Sequence, residues 1–217
     1  MTLLNWQRSI EQIVVANKGA RVLGFTSIHS GAGVSLICRR VAKTMSVNGM
    51  KTLIISISDT PAFAVHSPAD RPAAGAISAA IVPSIHGYDC LPGNDIDGRP
   101  FASNVIQLRQ MIDGELSGYQ RIILDLPPIS HDASDGLSSV GISAICDRTL
   151  LVCVVGTDRR TELSEAVALL RGAGARIAGI VSNEYKRVDP WQSLLQMFSR
   201  RRSKRGRSGV TAQAAAQ

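Results

Sequence analysis

The sequence lacks the residue clusters that mark metal-bound and disulfide-bonded domains. None of its four cysteines is part of a C-x-x-C pair, and its four histidines are equally scattered. These residues are Cys38, Cys90, Cys146 and Cys153, and His29, His66, His86 and His131. We therefore expect neither a zinc site nor a disulfide framework, and we interpret the cysteines as small buried apolar residues.

A long hydrophobic run is also missing. No apolar stretch approaches the roughly 18 residues of a membrane span, and the N-terminal MTLLNWQRSIEQ is too polar for a signal peptide. The composition, 45% hydrophobic and 19% charged, is that of a globular protein. We therefore expect a cytoplasmic domain of ordinary size.

Net charge is absent from most of the chain. Residues 186–217 hold eight basic side chains and a single acidic one, Asp189, and this excess accounts for the whole formal charge of +7. The high isoelectric point therefore does not predict a basic face on the folded domain, and nucleic acid is the least favoured partner.

Strand and helix signals alternate along the rest of the chain. The segment 35–49 has Ile37, Val41 and Met45 on one helical face and ends at Gly49, and apolar runs that predict strands flank it. Strands are predicted at 21–27, 51–58, 121–128, 149–156 and 176–183, and further helices at 104–116 and 161–174. Residues 59–103 hold six of the nine prolines and are predicted to be loops with one helix near 74–82. The pattern predicts a three-layer α/β domain with a mostly parallel central sheet and helices on both faces.

Three polar features follow predicted strands, namely the loop 27–35, Asp125 and Asn183. Ligands of such sheets bind beyond the carboxyl ends of the strands, where the first turn of a helix also presents free amides to phosphate. We predict that the loop amides contact phosphate and that Ser35 and Asp125 hold magnesium. The loop residues are Ser30, Gly31, Ala32, Gly33, Val34 and Ser35. Taken alone, the glycine pair fits a tight turn without a ligand equally well.

Several segments in the same order resemble the MinD/ParA-like deviant P-loop ATPases and, within them, the cytoplasmic domains of bacterial tyrosine kinases (BY-kinases). TSIHSGAGVS resembles the Walker A loop, KTLIISISD the strand that carries the Walker A′ aspartates, and GYQRIILDLPPIS the Walker B strand. GAISAAI, YDCLPGN and the final strand-helix-strand 145–185 are similar as well. The resemblance covers about residues 5–185 and implies a P-loop NTPase-like domain over 1–188, ATP or ADP with magnesium as ligand, and Asn183 as an adenine contact.

The sequence departs from the family at its charged positions. Val34 replaces the Walker A lysine, and Ser56 and Ser58 stand where the family has the Walker A′ aspartates. A lysine from elsewhere, such as Lys51 or one from a partner chain, is a conceivable substitute. The N-terminal contact motif is reduced to Asn5, Arg8 and Glu11, and the C-terminal tyrosine cluster is missing, because the only tyrosines are Tyr88, Tyr119 and Tyr185.

These departures favour a pseudokinase or pseudo-ATPase, and the resemblance implies that it regulates or scaffolds exopolysaccharide biosynthesis or export at the inner membrane. The implied partners are an inner-membrane polysaccharide co-polymerase or export protein, a related kinase, or further copies of the chain. Two alternatives stay open: an active ATPase or tyrosine kinase with an unconventional site, and a ParA-like protein that binds DNA or a positioning partner.

The C-terminal segment is predicted to form an amphipathic helix over 189–199, followed by a basic, disordered tail over 200–217. Asp189 caps the helix, and four apolar residues share one of its faces. The residues proposed to contact a partner or an anionic membrane are Trp191, Leu194, Leu195, Phe198, Arg200, Arg201 and Arg202. Docking of the apolar face on the domain itself is the alternative.

Overall fold

A computed structural model describes residues 3–57, 77–92, 104–129 and 138–184. Predictions for Ser58, for the remainder of the proline-rich region and for the C-terminal helix and tail lie outside the described residues. The helices are α1 (Leu3–Ala16), α2 (Val34–Val47), α3 (Ile77–Ala80), α4 (Val105–Asp113), α5 (Ser139–Ile145) and α6 (Arg160–Gly172). The strands are β1 (Val22–Ser27), β2 (Thr52–Ser56), β3 (Val82–Pro83), β4 (Asp89–Pro92), β5 (Arg121–Asp125), β6 (Arg148–Val154) and β7 (Ile177–Asn183).

The strands form one sheet in the order β3-β4-β2-β5-β1-β6-β7. Every neighbouring pair is parallel except β3 with β4, which is antiparallel. The predicted mostly parallel sheet is therefore confirmed. Because β1 and β2 are buried along their whole length, their sequences are continuously apolar rather than alternating.

Helices cover both faces of the sheet, as the sequence predicts. On one face α1 and α2 pack against alternate residues of the central strands, including Leu23, Phe25 and Ile123. On the other face α4 and α5 pack against the intervening residues, such as Ile122 and Leu124. A further cluster joins α6 to β6 on that face. The result is the three-layer α/β architecture.

The predicted apolar face of α2 is confirmed. Ile37, Val41 and Met45 are fully buried. The helix ends at Val47 with Asn48 as its C-cap, after which Gly49 adopts the left-handed conformation with φ of 79°. All four cysteines are buried and unpaired. None of the helices in the described part of the chain has the length and hydropathy of a bilayer-spanning segment.

The prediction for residues 59–103 needs correction. The helix near 74–82 is present as α3, but the predicted loops also contain β3 and β4, and β4 pairs in parallel with β2 from Leu53↔Asp89 to Ser56↔Pro92. These strands are two and four residues long and contain Pro83 and Pro92, so they lack the long apolar run that predicts a buried strand. The helices α1 and α5 were not predicted either.

Candidate functional site

The polar residues predicted from the sequence come together at one edge of the sheet. Asp125, the last residue of β5, lies between Phe25 of β1 and Ser56 of β2 in the strand register. Asn183 ends β7, next to Val154 of β6. The loop that follows β1 leads into α2 above these strand ends. The carboxyl edge of the parallel sheet thus collects the predicted site residues, as expected for this architecture.

The loop has the backbone geometry of an anion-binding turn. Gly31 and Gly33 have φ values of 80° and 86°, a left-handed conformation that glycine adopts without steric cost. Gly33 is the N-cap of α2, and no side chain caps this helix end. The first amides of α2 have no partner within the helix, and the helix dipole places partial positive charge there. This arrangement suits a phosphate group.

Asn183 holds the loop in place. Its Nδ2 donates a hydrogen bond of 2.8 Å to the carbonyl oxygen of Ala32, and both residues are buried. A Cβ at Gly33 would lie 2.6 Å from the same nitrogen, so a larger residue there would displace the Asn183 amide. Asn183 therefore contacts the loop directly in this structure. Its implied contact with an adenine base stays a prediction.

Asp125 is a buried carboxylate without a hydrogen-bond partner among the described residues. Its relative exposure is 1%, and neither carboxylate oxygen receives a hydrogen bond. Burial raises the pKa of Asp125 from 3.8 to about 6. An interaction with the Ser35 hydroxyl, whose geometry falls short of a normal hydrogen bond, and the positive charge of Arg39 partly oppose the rise. A buried carboxylate in this state attracts a cation.

Magnesium fits these donors. Mg²⁺ prefers oxygen ligands and is commonly held by one or two carboxylates together with substrate phosphates and water. Asp125 and the Ser35 hydroxyl at the start of α2 supply such oxygens. Among the residues that the structure describes, no group of three or more acidic, histidine or cysteine side chains is placed to hold a metal ion. Magnesium at Asp125 and Ser35 would therefore need further oxygen ligands from a phosphate group or water.

The positions where the family carries charge are apolar or neutral here. Val34 is only 8% exposed and belongs to the apolar cluster beneath α2. Ser56 is also buried and neutral, beside Asp125 in the sheet. The suggestion that Lys51 replaces the missing lysine is wrong. Lys51 precedes β2, roughly 16 Å from Ser56 at about 3.3 Å per residue, and its ammonium lies over the ring of Tyr119.

Two further contacts of the loop were not predicted. The Nε2 of His29 lies 3.5 Å from a carboxylate oxygen of Glu162, in the first turn of α6. Glu162 also accepts a hydrogen bond from the backbone N–H of Arg159, which is the main reason why its pKa is lowered. On the other side, the Nε of Arg39 donates to the carbonyl oxygen of Ser35 at 3.2 Å. The i, i+4 spacing of Ser35 and Arg39 is the one signal in the sequence that could have indicated the second contact.

Comparison with known proteins identifies the fold. A scan against protein-family models gives no match, and a search of curated proteins gives no significant match. Among solved structures, the kinase domain of Escherichia coli tyrosine kinase ETK aligns with 97% of this chain and 77% of its own length, at 16% identity and a TM-score of 0.63. The VpsO kinase domain aligns with 85% of this chain and all of its own length, at 21% identity and a TM-score of 0.62.

A nucleotide-bound ATPase of the wider group is also similar. MinD of Pyrococcus horikoshii, solved in complex with Mg-ADP, aligns with 78% of this chain and 72% of its own length, at 16% identity and a TM-score of 0.56. These identities are low, and the likeness lies in the arrangement of strands and helices. The chain therefore has the P-loop fold that BY-kinase domains share with the MinD-like ATPases.

Proposed function

We propose that this chain is a degenerate BY-kinase-like P-loop protein that binds a nucleotide but turns it over poorly or not at all. The main support for the proposal is that one site combines features that suit nucleotide binding with the loss of a charge needed for turnover. The loop conformation and the unpartnered Asp125 suit a magnesium nucleotide, whereas Val34 is packed in the apolar cluster beneath α2.

Nucleotide binding relies on the backbone and two side chains. The left-handed Gly31 and Gly33 direct loop amides toward a phosphate, and the N-terminus of α2 adds its dipole. Ser35 and Asp125 are the residues that would hold magnesium, which would neutralise phosphate charge when bound. Asn183 stabilises the loop through Ala32.

Turnover requires more positioned charge than the described residues supply. Phosphoryl transfer depends mainly on charged groups placed around the moving phosphoryl group, and losing one such stabilising group costs about 10²–10³ in rate. Val34 and Ser56 carry no charge at two of the positions concerned. We therefore expect the site to act as a ligand-dependent structural element.

The biological role in the proposal is regulation or scaffolding of exopolysaccharide synthesis or export at the inner membrane. The family resemblance of the sequence supports this role, and the similarity to kinase domains such as that of ETK supports the shared fold. The proposed partners are a polysaccharide co-polymerase or export protein, a related kinase, or another copy of the chain. The basic amphipathic segment after residue 188 is the proposed contact with the partner or with an anionic membrane surface.

Substitution of Val34 tests whether the missing lysine charge weakens nucleotide binding. In Val34→Lys the aliphatic stem should follow the path of Val34 while the ammonium reaches the loop, so Mg-ATP should bind about tenfold tighter or more. Val34→Met is the matched control, because it adds a similar unbranched stem without charge. Isothermal titration with Mg-ATP measures both variants.

The same substitution can disprove the proposal. If a folded Val34→Lys variant binds Mg-ATP no better than Val34→Met, residue 34 does not face a bound phosphate and the loop is not a degenerate Walker A loop. If the wild-type chain phosphorylates tyrosine at rates of about 1–100 s⁻¹, as active kinases do, it is an enzyme with an unconventional site.

A further inference from the structure

We propose that Arg39 supplies the positive charge of the loop site and binds the phosphate groups of the nucleotide directly. The ligand class is a phosphate-bearing anion with at least two linked phosphates, such as pyrophosphate or a nucleoside diphosphate. This inference rests on the proposed function, because it assigns a further binding residue to the same site.

The contact between Arg39 and Ser35 places the Nε of the guanidinium group beside the first turn of α2. Helical side chains point toward the N-terminus of their helix, so Arg39 extends back along α2 toward the first turn. Its Nε donates to the carbonyl oxygen of Ser35 at 3.2 Å. Ser35 is the second residue of α2 and follows directly on the loop that presents its amides. A phosphate held by these amides would lie roughly one helical turn, about 5 Å, from this carbonyl oxygen, a distance that the terminal NH groups of an arginine side chain can span.

The electrostatics of the edge agree with this placement. Burial raises the pKa of Asp125, and Arg39 is the one basic residue, in the part of the chain that the structure describes, whose charge opposes this rise. Burial raises the pKa of Cys38 and of Cys90 on β4, and the charge of Arg39 partly opposes both rises. The charge of Arg39 therefore acts on the buried carboxylate.

A phosphate bound at this edge of the sheet needs a positively charged side chain nearby. Asp125 is buried without a hydrogen-bond partner among the described residues, so a phosphate brought to the loop would meet an existing negative charge. The free amides of α2 carry only partial charge. A guanidinium provides a full charge and a planar set of donors that matches two phosphate oxygens at once. Arg39 is already located where this compensation is required.

The test is titration of the full chain with inorganic pyrophosphate, with EDTA present so that no metal contributes. Arg39→Gln should weaken binding by about 10- to 100-fold, the range expected for loss of charge-assisted hydrogen bonds. Arg39→Lys keeps the charge without the planar donor group and should lie between wild type and Arg39→Gln. The matched control is Arg40→Gln, which removes the same charge from the adjacent, exposed position and should change the affinity less than about twofold.

The outcomes separate the inference from the proposed function. If wild type binds neither pyrophosphate nor Mg-ATP, both fail. If wild type binds pyrophosphate and a folded Arg39→Gln variant binds it equally well, the assignment of Arg39 fails while the site remains. Equal weakening in the Arg39→Gln and Arg40→Gln variants also overturns the assignment, because it would reflect a general change in surface charge.

Discussion

At the scale of single residues, Asp125 is the group of the candidate site that lowers the stability of the folded domain. Its carboxylate is buried between two strands without a hydrogen-bond partner among the described residues, an arrangement that is unfavourable in a domain without ligand. The rise of its pKa from 3.8 to about 6 corresponds to roughly 3 kcal/mol of stability lost at neutral pH. Binding sites commonly retain such unfavourable groups because the ligand needs them.

The first residue-scale prediction concerns pH. Because the pKa of Asp125 is higher in the folded than in the unfolded chain, the folded state binds more protons, and stability should fall as pH rises from about 4 to about 6. Asp125→Asn has no charge to bury. The variant should match wild type below pH 4 and exceed it by roughly 1–3 kcal/mol at pH 7 in the absence of nucleotide.

Chemical denaturation between pH 4 and pH 8 measures this difference. Glu165→Gln is a suitable control, because Glu165 is an exposed acidic residue of α6. A gap between Asp125→Asn and wild type that stays constant across the pH range would show that Asp125 is not a destabilising buried charge.

At the scale of elements, the contact between Asn183 and Ala32 connects the edge strand β7 to the loop after β1. The two residues are 151 positions apart in sequence, and the hydrogen bond between them is buried. The loop conformation therefore depends on where β7 lies, and β7 is the last described element before the C-terminal segment.

Two glycine substitutions test this connection. Gly31→Ala and Gly33→Ala both place a side chain in the left-handed region, which costs roughly 1–2 kcal/mol. A Cβ at Gly31 has nothing within 4 Å, whereas one at Gly33 meets the Nδ2 of Asn183 at 2.6 Å. We expect Gly33→Ala to lower the free energy of unfolding by about 1–3 kcal/mol more than Gly31→Ala does.

A double-mutant cycle supplies the control. Relative to Asn183→Ala alone, adding Gly33→Ala should cost only about as much as Gly31→Ala does, because the contact has already been removed. Equal costs for the two glycine variants in the wild-type background would contradict a role of Asn183 in holding the loop.

The elements themselves show what sequence patterns can predict. The strands β1, β2, β5 and β6 were predicted, because continuous apolar runs are the signature of parallel strands buried on both faces. A similar run predicted β7, although this edge strand is only partly buried. By contrast, β3 and β4 were missed. Both strands are short and end in proline. The β4 segment forms a strand because it pairs in parallel with β2, and its own sequence carries no strand pattern.

At the scale of the whole molecule, the location of the site was more predictable than its contacts. Parallel strands bring their carboxyl ends to one edge, so the positions of the loop, Asp125 and Asn183 followed from the order of strands and helices. The contacts of Asn183 with Ala32 and of His29 with Glu162 join residues far apart in sequence. They depend on the packing of side chains, which no local pattern encodes.

The whole molecule also explains why the unusual loop is compatible with a stable fold. Val34 lies in the same apolar cluster as Leu23, Phe25 and Ile37, so the position that could carry a charge contributes to the core instead. The balanced charge of residues 1–185 means that phosphate affinity must come from local groups rather than from a general positive field. These two features together favour binding without turnover.

Calorimetric titration of the full chain with Mg-ATP tests this central claim most directly, since one trace reports both binding and hydrolysis. We predict saturable heats that return to the baseline after each injection, and weaker binding in the Asp125→Asn variant. Sustained heat from hydrolysis that disappears in Asp125→Asn would contradict the account, as would the absence of any binding heat in the wild-type chain.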